Sequence, residues 1–373
     1  MRFLKPFLPS YQKIEKRVKE TFSTGILTKG KYLNEFEKKI ANYLKVKNAV
    51  GVSSGTTGLL LTLRALGLKG EVVVPSFTFM AAVHPLVWNG LVPVFAEIDP
   101  ETLNIDTSKI EELITPRTSA ILAVHLFGNP ADVRELKKIA KRYKLKLIFD
   151  SAHAFGSLYQ GKPLGSYGEA EVFSCSPAKL LITSEGGVVT TGEPELAQKI
   201  YYLREYGNPG NYDSVDFGIN ARMPEFNAIL GIESLSLLEE NAKKRNQLAE
   251  VYRRRLGKLP GIRFQKIKNG NRSSYKDFVI LIDEKKFGLS RNLLANRLAK
   301  AKIETKKYYD PPVHKQTCYH KFSKRGLPIT ERISKEILAL PIYAGMGEKE
   351  IDSVCVAIEK IQRAMSRQNS LQN

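Results

Sequence analysis

Five short apolar segments that alternate with helix-like segments limit most strongly how this chain can fold. They lie between residues 48 and 153 and read NAVGVSS, EVVVPSF, VPVFAEID, TSAILAVHLFG and LKLIFDSAH. Strands that alternate with helices and are apolar on both faces favour a largely parallel sheet covered by helices on each side. The pattern predicts an α/β fold, in which ligands bind at the carboxyl ends of the strands.

The rest of the chain predicts a second, smaller unit. From residue 194 onward helical patterns dominate, including one long helix predicted over residues 224–256. A strand-like segment, SYKDFVILID, and a helix-like segment, SRNLLANRLAKAK, follow it. A chain of 373 residues is long enough for two domains. We predict a large domain over residues 1–240, whose N-terminal helix packs within it or on the small domain, and a small C-terminal α+β domain over residues 241–373.

The formal net charge of +20 is the compositional feature that bears most on binding partners. It fits a surface for nucleic acid or for an anionic small molecule, and it also fits a solvated lysine-rich exterior. The basic residues are spread along the chain in doublets and triplets, as in AKKRNQ and YRRRL. Nucleic-acid-binding proteins more often concentrate them. We therefore expect a solvated exterior and no nucleic-acid partner.

The apolar segments and the cysteines predict a compartment. No stretch approaches the ~18 to 20 apolar residues of a membrane span, and MRFLKPFLPSYQKIEKRVKE lacks the apolar core of a signal peptide. The three cysteines, Cys175, Cys318 and Cys355, lack the paired spacing of a disulfide framework or a zinc site. We expect a cytoplasmic protein with reduced cysteines, no membrane contact and no bound metal.

Two strand ends carry residues suited to an anionic ligand and to a buried charge. Gly55 and Thr56 follow the first strand at the start of a helix, where free N–H groups and the helix dipole suit a phosphate. An ordinary helix cap explains the same residues. Asp150 ends the strand LKLIFD, where a carboxylate needs a cation or strong donors, or else caps a helix that begins near Ser151. His153 lies three residues further on.

Two further strand ends carry an aromatic pair and an isolated lysine. Phe77 and Phe79 follow EVVVP; either ring could stack on a planar ligand, and both could belong to the core. Lys179 lies in VFSCSPAKLLITSEGGVVTT, five positions after Ser174. A lysine in this apolar setting either extends to solvent or is desolvated and becomes nucleophilic toward carbonyls.

The combination of these features is more specific than any one of them. A phosphate cradle, an aromatic plate, a buried aspartate and an isolated lysine occur in that order on successive strand ends. These are the groups needed to hold pyridoxal phosphate, whose pyridine nitrogen an aspartate keeps protonated. The pattern therefore predicts a pyridoxal phosphate site.

Several longer motifs make the chain similar to a known family. From about residue 32 to 360 it resembles the DegT/DnrJ/EryC1/StrS sugar aminotransferases, through GVSSGTTGLLLTLRALGL, VVVPSFTFMAA, VPVFAEIDPETLNID, AVHLFGNPADV, LIFDSAHAFGS, VFSCSPAK, EGGVVTT, GINARMPEFNAILG, PPVHKQ and LPIYAGM. The resemblance implies the aspartate-aminotransferase-like fold, type I of the pyridoxal-phosphate-dependent transferases. It also implies a homodimer whose active sites are built from both subunits.

The resemblance assigns a role to each matching residue. Lys179 matches the lysine that forms the internal aldimine, and Asp150 matches the partner of the pyridine nitrogen. The remaining matches are cofactor contacts and one substrate contact: Gly55, Thr56 and Ser174 at the phosphate, Phe79 stacked on the ring, His153 near the phenolic oxygen where the family usually has glutamine, Asn220 reaching the neighbouring subunit's phosphate, and His314 at the substrate.

The chain departs from the family pattern beside the lysine. Where family members commonly have His-Pro-Thr-Lys, this chain has Ser176, Pro177, Ala178 and Lys179. The missing histidine and threonine put neighbouring contacts in doubt. The dehydrating branch of the family has histidine in place of the lysine, so Lys179 favours transamination.

The resemblance implies a reaction with two halves. An amino acid, usually glutamate in this family, gives its amino group to the cofactor, and a keto-sugar, usually a nucleotide-linked deoxy-keto-sugar, then receives it. Two alternatives stay open: an aminotransferase acting on a non-nucleotide ketone such as a cyclitol, and a non-enzymatic regulatory or nucleic-acid-binding protein on the same fold.

Overall fold

The strands and helices alternate along the first half of the chain as the sequence predicts. The computed structural model describes residues 1–370. Its strands are β1 (Asn48–Val52), β2 (Glu71–Pro75), β3 (Val92–Ala96), β4 (Thr118–Val124), β5 (Lys146–Asp150), β6 (Leu158–Tyr159), β7 (Lys162–Pro163), β8 (Ala170–Ser174), β9 (Gly187–Thr191), β10 (Ile262–Phe264), β11 (Phe278–Ile282) and β12 (Ile337–Leu340).

The α-helices connect these strands and dominate the second half. They are α1 (Tyr11–Thr24), α2 (Lys31–Leu44), α3 (Gly55–Ala65), α4 (His84–Trp88), α5 (Val133–Tyr143), α6 (Pro194–Leu203), α7 (Glu225–Ser236), α8 (Leu238–Leu256), α9 (Glu284–Phe287), α10 (Arg291–Lys300), α11 (Pro328–Glu336) and α12 (Glu348–Ser370). No helix within residues 1–370 has both the length and the apolar character needed to cross a membrane.

A seven-stranded sheet forms the centre of the molecule. Its strand order is β1-β9-β8-β5-β4-β2-β3, and only β9 runs antiparallel to its neighbours. Alternate residues of each strand enter different cores: Val72 and Val74 pack in one, and Val73 packs in another on the opposite face. Burial on both faces explains why these strands are apolar throughout. The prediction of a mostly parallel, doubly covered sheet is confirmed.

A second, antiparallel sheet lies in the C-terminal part. Its order is β10-β11-β12, and its apolar residues pack with those of α8, α10 and α12 in a core of their own. The domain boundary predicted at residue 240 falls inside α8 and stays a prediction. The long helix predicted over residues 224–256 is instead two helices, α7 and α8, separated at Leu237.

The N-terminal segment contacts both parts of the molecule. Ile14 and Val18 of α1 pack against the core that contains α2 and α7, whereas Met1 and Leu4 pack against the core of the smaller sheet. The helix itself therefore packs with the elements of the large sheet, and the residues before it reach the small one.

Gly187 allows β9 to lie close to the start of α3. A Cβ atom at this position would lie 2.6 Å from the backbone nitrogen of Gly55 and from the carbonyl atoms of Ser54. The φ angle of Gly187 is not in the left-handed region. The requirement for glycine is therefore one of space: any side chain here would displace the backbone at the start of α3.

Replacing Gly187 with alanine tests this close approach. We expect Gly187→Ala to lower the free energy of unfolding by about 1 to 3 kcal/mol, because the added methyl group overpacks against backbone that cannot rotate away. Gly192→Ala is the matched control, since a Cβ atom there meets nothing within 4 Å. Urea unfolding followed by circular dichroism measures both variants. Equal stability of the two would contradict the steric explanation.

Candidate active site

A cavity of about 230 Å³ lies at the carboxyl ends of the central strands. Its lining comes from the ends of β1, β2, β4, β5 and β8 and from the loops that follow them. Seven of the nine predicted site residues line it: Gly55, Thr56, Phe79, Asp150, His153, Ser174 and Lys179. The sheet therefore brings together residues that are up to 124 positions apart in the sequence, the separation between Gly55 and Lys179.

One end of the cavity carries the open start of α3. Ser54 caps the helix, because its hydroxyl accepts from the Thr57 N–H at 3.0 Å. The N–H groups of Gly55 and Thr56 have no acceptor within residues 1–364. Both interpretations of this segment therefore hold: it is capped, and it presents two free donors and the positive end of the helix dipole to the cavity.

Ser174 lies directly beside these donors. A Cβ atom on Gly55 would lie 3.1 Å from the Ser174 Cβ, closer than ordinary van der Waals contact, so glycine favours this close approach. The hydroxyl of Ser174 has no hydrogen-bond partner among residues 1–364. Two free amides and a free hydroxyl that converge at a helix start are suited to bind a phosphate group.

Lys179 lies on the loop between β8 and β9 and lines the cavity. Cys175 N–H donates to Gly186 O at 2.9 Å, and Thr183 N–H donates to Cys175 O at 2.8 Å, so the loop is held to itself on both sides of the lysine. Burial and, to a smaller extent, the charge of Lys276 lower the pKa of the Lys179 amine, which is about 7. At neutral pH a large fraction of this amine is therefore uncharged and nucleophilic.

Asp150 places a carboxylate in the same cavity. Its Oδ1 accepts from the Ala152 N–H at 2.9 Å. Burial raises the pKa of this carboxyl, whereas the Ala152 N–H, Lys179 and His125 favour the charged form. No helix begins at Ser151, since residues 151–157 form turns. The alternative that Asp150 caps a helix is therefore wrong.

His153 is held as a neutral ring. The Phe127 N–H donates to its Nδ1 at 3.1 Å, which assigns the ring hydrogen to Nε2. The Phe127 ring lies parallel to it, with centroids 6.2 Å apart. Burial lowers the pKa of His153 well below its usual value, and Lys179 and Lys276 lower it further. The imidazole is thus a hydrogen-bond donor through Nε2 and not a cation.

The aromatic pair divides between the core and the cavity. Phe77 is buried and meets Tyr309 edge to face, with ring centroids 5.4 Å apart. Phe79 lines the cavity and leaves 52% of its surface exposed. Phe79 is therefore the ring that is available to a planar ligand.

Two predicted residues lie outside the cavity. His314 is fully buried, and its ring nitrogens meet the Ser76 hydroxyl at 2.6 Å and a Glu331 carboxylate oxygen at 3.2 Å. Asn220 is exposed on a segment that bridges to Glu205. Among the residues that the structure describes, neither side chain lines the cavity.

Eight of the fifteen lining residues were absent from the prediction, among them the polar residues Thr78, Ser176 and Glu185. Thr78 lies between the two phenylalanines and could have been found from their spacing, and Ser176 lies beside Lys179. Glu185 lines the cavity from the far end of the same loop and is exposed. No local sequence signal distinguishes this glutamate from other charged loop residues.

Comparisons with known proteins give the chain a family. Residues 10–359 match the DegT/DnrJ/EryC1/StrS aminotransferase family. The dTDP-3-amino-3,6-dideoxy-alpha-D-galactopyranose transaminase of Aneurinibacillus thermoaerophilus is 36% identical, with 94% of this chain and 96% of the relative covered. The GDP-perosamine synthase of Caulobacter vibrioides is 35% identical, with 91% and 92% covered.

A solved structure extends the similarity to the whole fold. The crystal structure of DesI in the presence of its TDP-sugar product superposes with a TM-score of 0.91 at 34% identity, covering 98% of this chain and 93% of that one. The mostly parallel sheet and the smaller C-terminal sheet are thus those of a type I pyridoxal-phosphate-dependent transferase. On its sequence, its fold and the cavity at its strand ends, this chain belongs to the DegT/DnrJ/EryC1/StrS aminotransferase family.

Proposed function

We propose that this protein is a pyridoxal-phosphate-dependent aminotransferase that moves an amino group from glutamate to a nucleotide-linked deoxy-keto-sugar. The observation that carries the proposal is the position of Lys179 in the same cavity as Asp150 and the open start of α3. The pKa of about 7 leaves about half of the Lys179 amine uncharged at neutral pH. The two relatives named above are a dTDP-sugar transaminase and a GDP-perosamine synthase. They favour a nucleotide-linked acceptor.

The groups in the cavity fit pyridoxal phosphate. The free N–H groups of Gly55 and Thr56 and the Ser174 hydroxyl would hold its phosphate. The Asp150 carboxylate would pair with the protonated ring nitrogen, and Phe79 would stack on the ring. When bound, the cofactor supplies an electron sink for the negative charge that develops at the donor's α-carbon.

Lys179 carries the proton transfers in this proposal. Its Nζ accepts the proton that the amino donor loses from its α-carbon, and in the second half-reaction it returns a proton to the sugar carbon that receives the amine. A general base works best with a pKa near the working pH, and a value of about 7 suits both directions. The donor leaves as its 2-oxo acid before the sugar binds, which predicts ping-pong kinetics.

Burial favours the neutral forms of both His153 and Asp150, but the two residues would contact a ligand differently. The histidine is neutral and donates through Nε2, so it can bond an oxygen without adding positive charge. The carboxylate of Asp150 gains stability from any cation that approaches it, because burial has removed most of its solvent. A protonated ring nitrogen supplies such a cation.

A homodimer would explain the apolar surface around Asn220. The segment that carries this residue also exposes Tyr206, Tyr212, Val215 and Phe217, the last leaving 87% of its surface exposed. Large apolar side chains clustered on one exposed segment are typical of an interaction surface. In our proposal a second copy of the chain covers this segment, and each Asn220 completes the phosphate site of the partner.

The lysine assignment can be tested directly. We expect borohydride reduction of the cofactor-loaded wild type to leave the cofactor mass on the peptide that contains Lys179. In Lys179→Ala this label should be lost, and turnover should fall at least about 100-fold, because the base is missing. Lys144→Ala, at an exposed lysine, is the control and should match the wild type in both measurements. Retained labelling and turnover in Lys179→Ala would refute the assignment.

The acceptor class is tested by a substrate screen. Turnover of dTDP- and GDP-linked deoxy-keto-sugars should exceed that of cyclitol ketones, with glutamate as the preferred donor over glutamine. Initial rates, measured by mass spectrometry of the aminated product, decide between them. Faster turnover of a cyclitol ketone would show that the proposed acceptor class is wrong. Salt-sensitive DNA binding without cofactor uptake would instead support a regulatory protein.

The composite site predicts recovery of activity in mixed dimers. Lys179→Ala and Asn220→Ala should each be strongly impaired alone. If Asn220 acts on the partner's site, a mixed dimer places both lesions in one site and leaves the other intact. Co-expression of differently tagged chains in equal amounts should then restore about a quarter of the wild-type turnover, since half the dimers are mixed and each has one intact site. No recovery in affinity-purified mixed dimers would contradict the composite site.

A further inference from the structure

Phe127 adopts a backbone conformation that bulky residues rarely take. Its φ and ψ angles are 58° and 15°, which lie in the left-handed region, and its side chain is fully buried. A residue with a Cβ atom is strained in this region and stays there only where its surroundings require it, often beside a functional site. Phe127 does not line the cavity, so direct contact with a ligand does not explain its conformation.

The Phe127 N–H is bonded to a residue of the cavity. It donates to His153 Nδ1 at 3.1 Å, and His153 lines the cavity. Because Phe127 is fully buried, an N–H group that lost this acceptor would be left unpaired away from water. The left-handed backbone therefore pairs a buried donor with a side chain that can contact a ligand.

Contacts of the Phe127 ring and carbonyl group hold this conformation. The ring is nearly parallel to that of His153, at 7° with centroids 6.2 Å apart, and to that of Tyr309, at 13° and 6.1 Å. The Phe127 carbonyl oxygen accepts from the Lys276 N–H at 3.1 Å. Stacking therefore fixes the plane of the ring, and hydrogen bonds of its N–H and its carbonyl oxygen fix the main chain of the residue.

The main chain of His153 is fixed against the same turn. Its carbonyl oxygen accepts from the Ser274 hydroxyl at 2.7 Å. Gly128 allows this approach, because a Cβ atom there would lie 2.0 Å from the Ser274 Oγ, and its φ angle of 88° is also left-handed. Within residues 1–364, the other ring nitrogen of His153, Nε2, has no hydrogen-bond partner. Nε2 is therefore the nitrogen that is left for a ligand.

The Phe127 N–H determines which ring nitrogen of His153 carries the hydrogen. A neutral imidazole has one N–H donor and one acceptor nitrogen. With the hydrogen on Nδ1, two donors would meet at 3.1 Å and the Phe127 N–H would be unpaired. With the hydrogen on Nε2, the buried donor is satisfied and a second donor stays free. The position of Phe127 therefore favours the second tautomer.

We propose that Phe127 is a positioning residue that holds His153 in the tautomer with its hydrogen on Nε2, so that His153 offers a donor to a ligand in the cavity. The proposal rests on the proposed function only for its purpose, since a donor binds an anionic oxygen of the cofactor and the lone pair of the other tautomer would repel it. The tautomer itself is a property of the protein without cofactor or substrate.

Nitrogen NMR of the cofactor-free protein tests the tautomer. The chain has five histidines, so a sample labelled with ¹⁵N at histidine gives few signals, and that of His153 is identified by its absence in His153→Gln. Long-range ¹⁵N–¹H spectra, recorded above the usual pKa of histidine, show which ring nitrogen carries the hydrogen. We expect the Nε2–H form of wild-type His153 to exceed the other about 10-fold or more, because an unpaired buried donor opposes the other form. A predominant Nδ1–H form would overturn the proposal.

Two isomeric variants separate the backbone conformation from packing. Phe127→Leu and Phe127→Ile remove the same ring and introduce the same number of atoms, but β-branched isoleucine is much less compatible with the left-handed region. We expect Phe127→Leu to keep the wild-type tautomer and Phe127→Ile to populate the Nδ1–H form measurably. Equal tautomer populations in these two variants would overturn the proposal. Thermal melting identifies a variant that fails to fold, and Phe127→Val, which is also β-branched, then replaces Phe127→Ile.

Phe127→Gly reverses the order that packing alone predicts. It leaves the largest cavity, but glycine takes a positive φ angle without strain. We therefore expect Phe127→Gly to keep the Nε2–H form better than Phe127→Ile does. A larger shift of the tautomer in Phe127→Gly than in Phe127→Ile would show that packing of the ring, and not the left-handed backbone, holds His153.

Cofactor affinity shows whether Phe127 acts through His153. Phe127→Ile should weaken pyridoxal phosphate binding about 3- to 10-fold, which is the contribution of one hydrogen bond. In the His153→Gln background the same substitution should have little effect, because an amide has no tautomers and always offers an N–H. Absorbance titration of the wild type, the two single variants and the double variant measures both effects. An equal loss of affinity in both backgrounds would indicate a general loosening of the site and overturn the proposal.

The tautomer measurement is independent of the proposed function. It uses no cofactor, donor or sugar, so a protein that bound no pyridoxal phosphate would refute the transaminase assignment and leave the NMR result standing. Conversely, equal tautomer populations in Phe127→Leu and Phe127→Ile would remove the role of Phe127 and leave the transaminase assignment intact, because that depends on borohydride labelling and on the substrate screen.

Discussion

The parallel pairing of β5 with β4 and β8 is the constraint on which the rest of the site depends. It aligns Asp150 with Val124 on one side and with Val172 on the other, so all three strands end at the same edge of the sheet. The chain then leaves β8 through Ser174 and returns to β9 with Lys179 in between. One shift in this register would move Asp150 to the opposite face of the sheet.

This edge of the sheet forces charges into a poorly solvated space. Burial raises the pKa of Asp150 and lowers that of Lys179, so each group alone would be driven toward its neutral form. Each also stabilises the charged form of the other. The protonation states of the two groups are therefore coupled, and neither group titrates independently of the other.

The sequence predicts the site residues that lie at strand ends, but it does not predict contacts between residues that are far apart along the chain. Asp150 can be predicted because it ends an apolar segment typical of a buried strand, and Lys179 because it lies between two apolar segments. The order of these residues along the chain indicates which ligand the site holds. The split between Phe77 and Phe79 could not be predicted, since two aromatics at a strand end look alike until the packing of Tyr309 is known. The break at Leu237 could not be predicted, because no glycine or proline at this point indicates the end of a helix. Gly55 is 124 positions from Lys179, and only the fold brings the two into one cavity.

Two residues that precede Lys179, Cys175 and Ser176, differ in what their side chains can contact. Cys175 is fully buried and packs in the core that holds Phe173 and Leu181, where burial raises the pKa of its thiol. The environment of Cys175 is apolar, and a buried cysteine packs there as a small hydrophobic residue. Ser176 lines the cavity, where its short side chain leaves more space than the family's histidine and offers a hydroxyl. Of the two positions, Ser176 is therefore the one whose side chain can contact a ligand in the cavity directly.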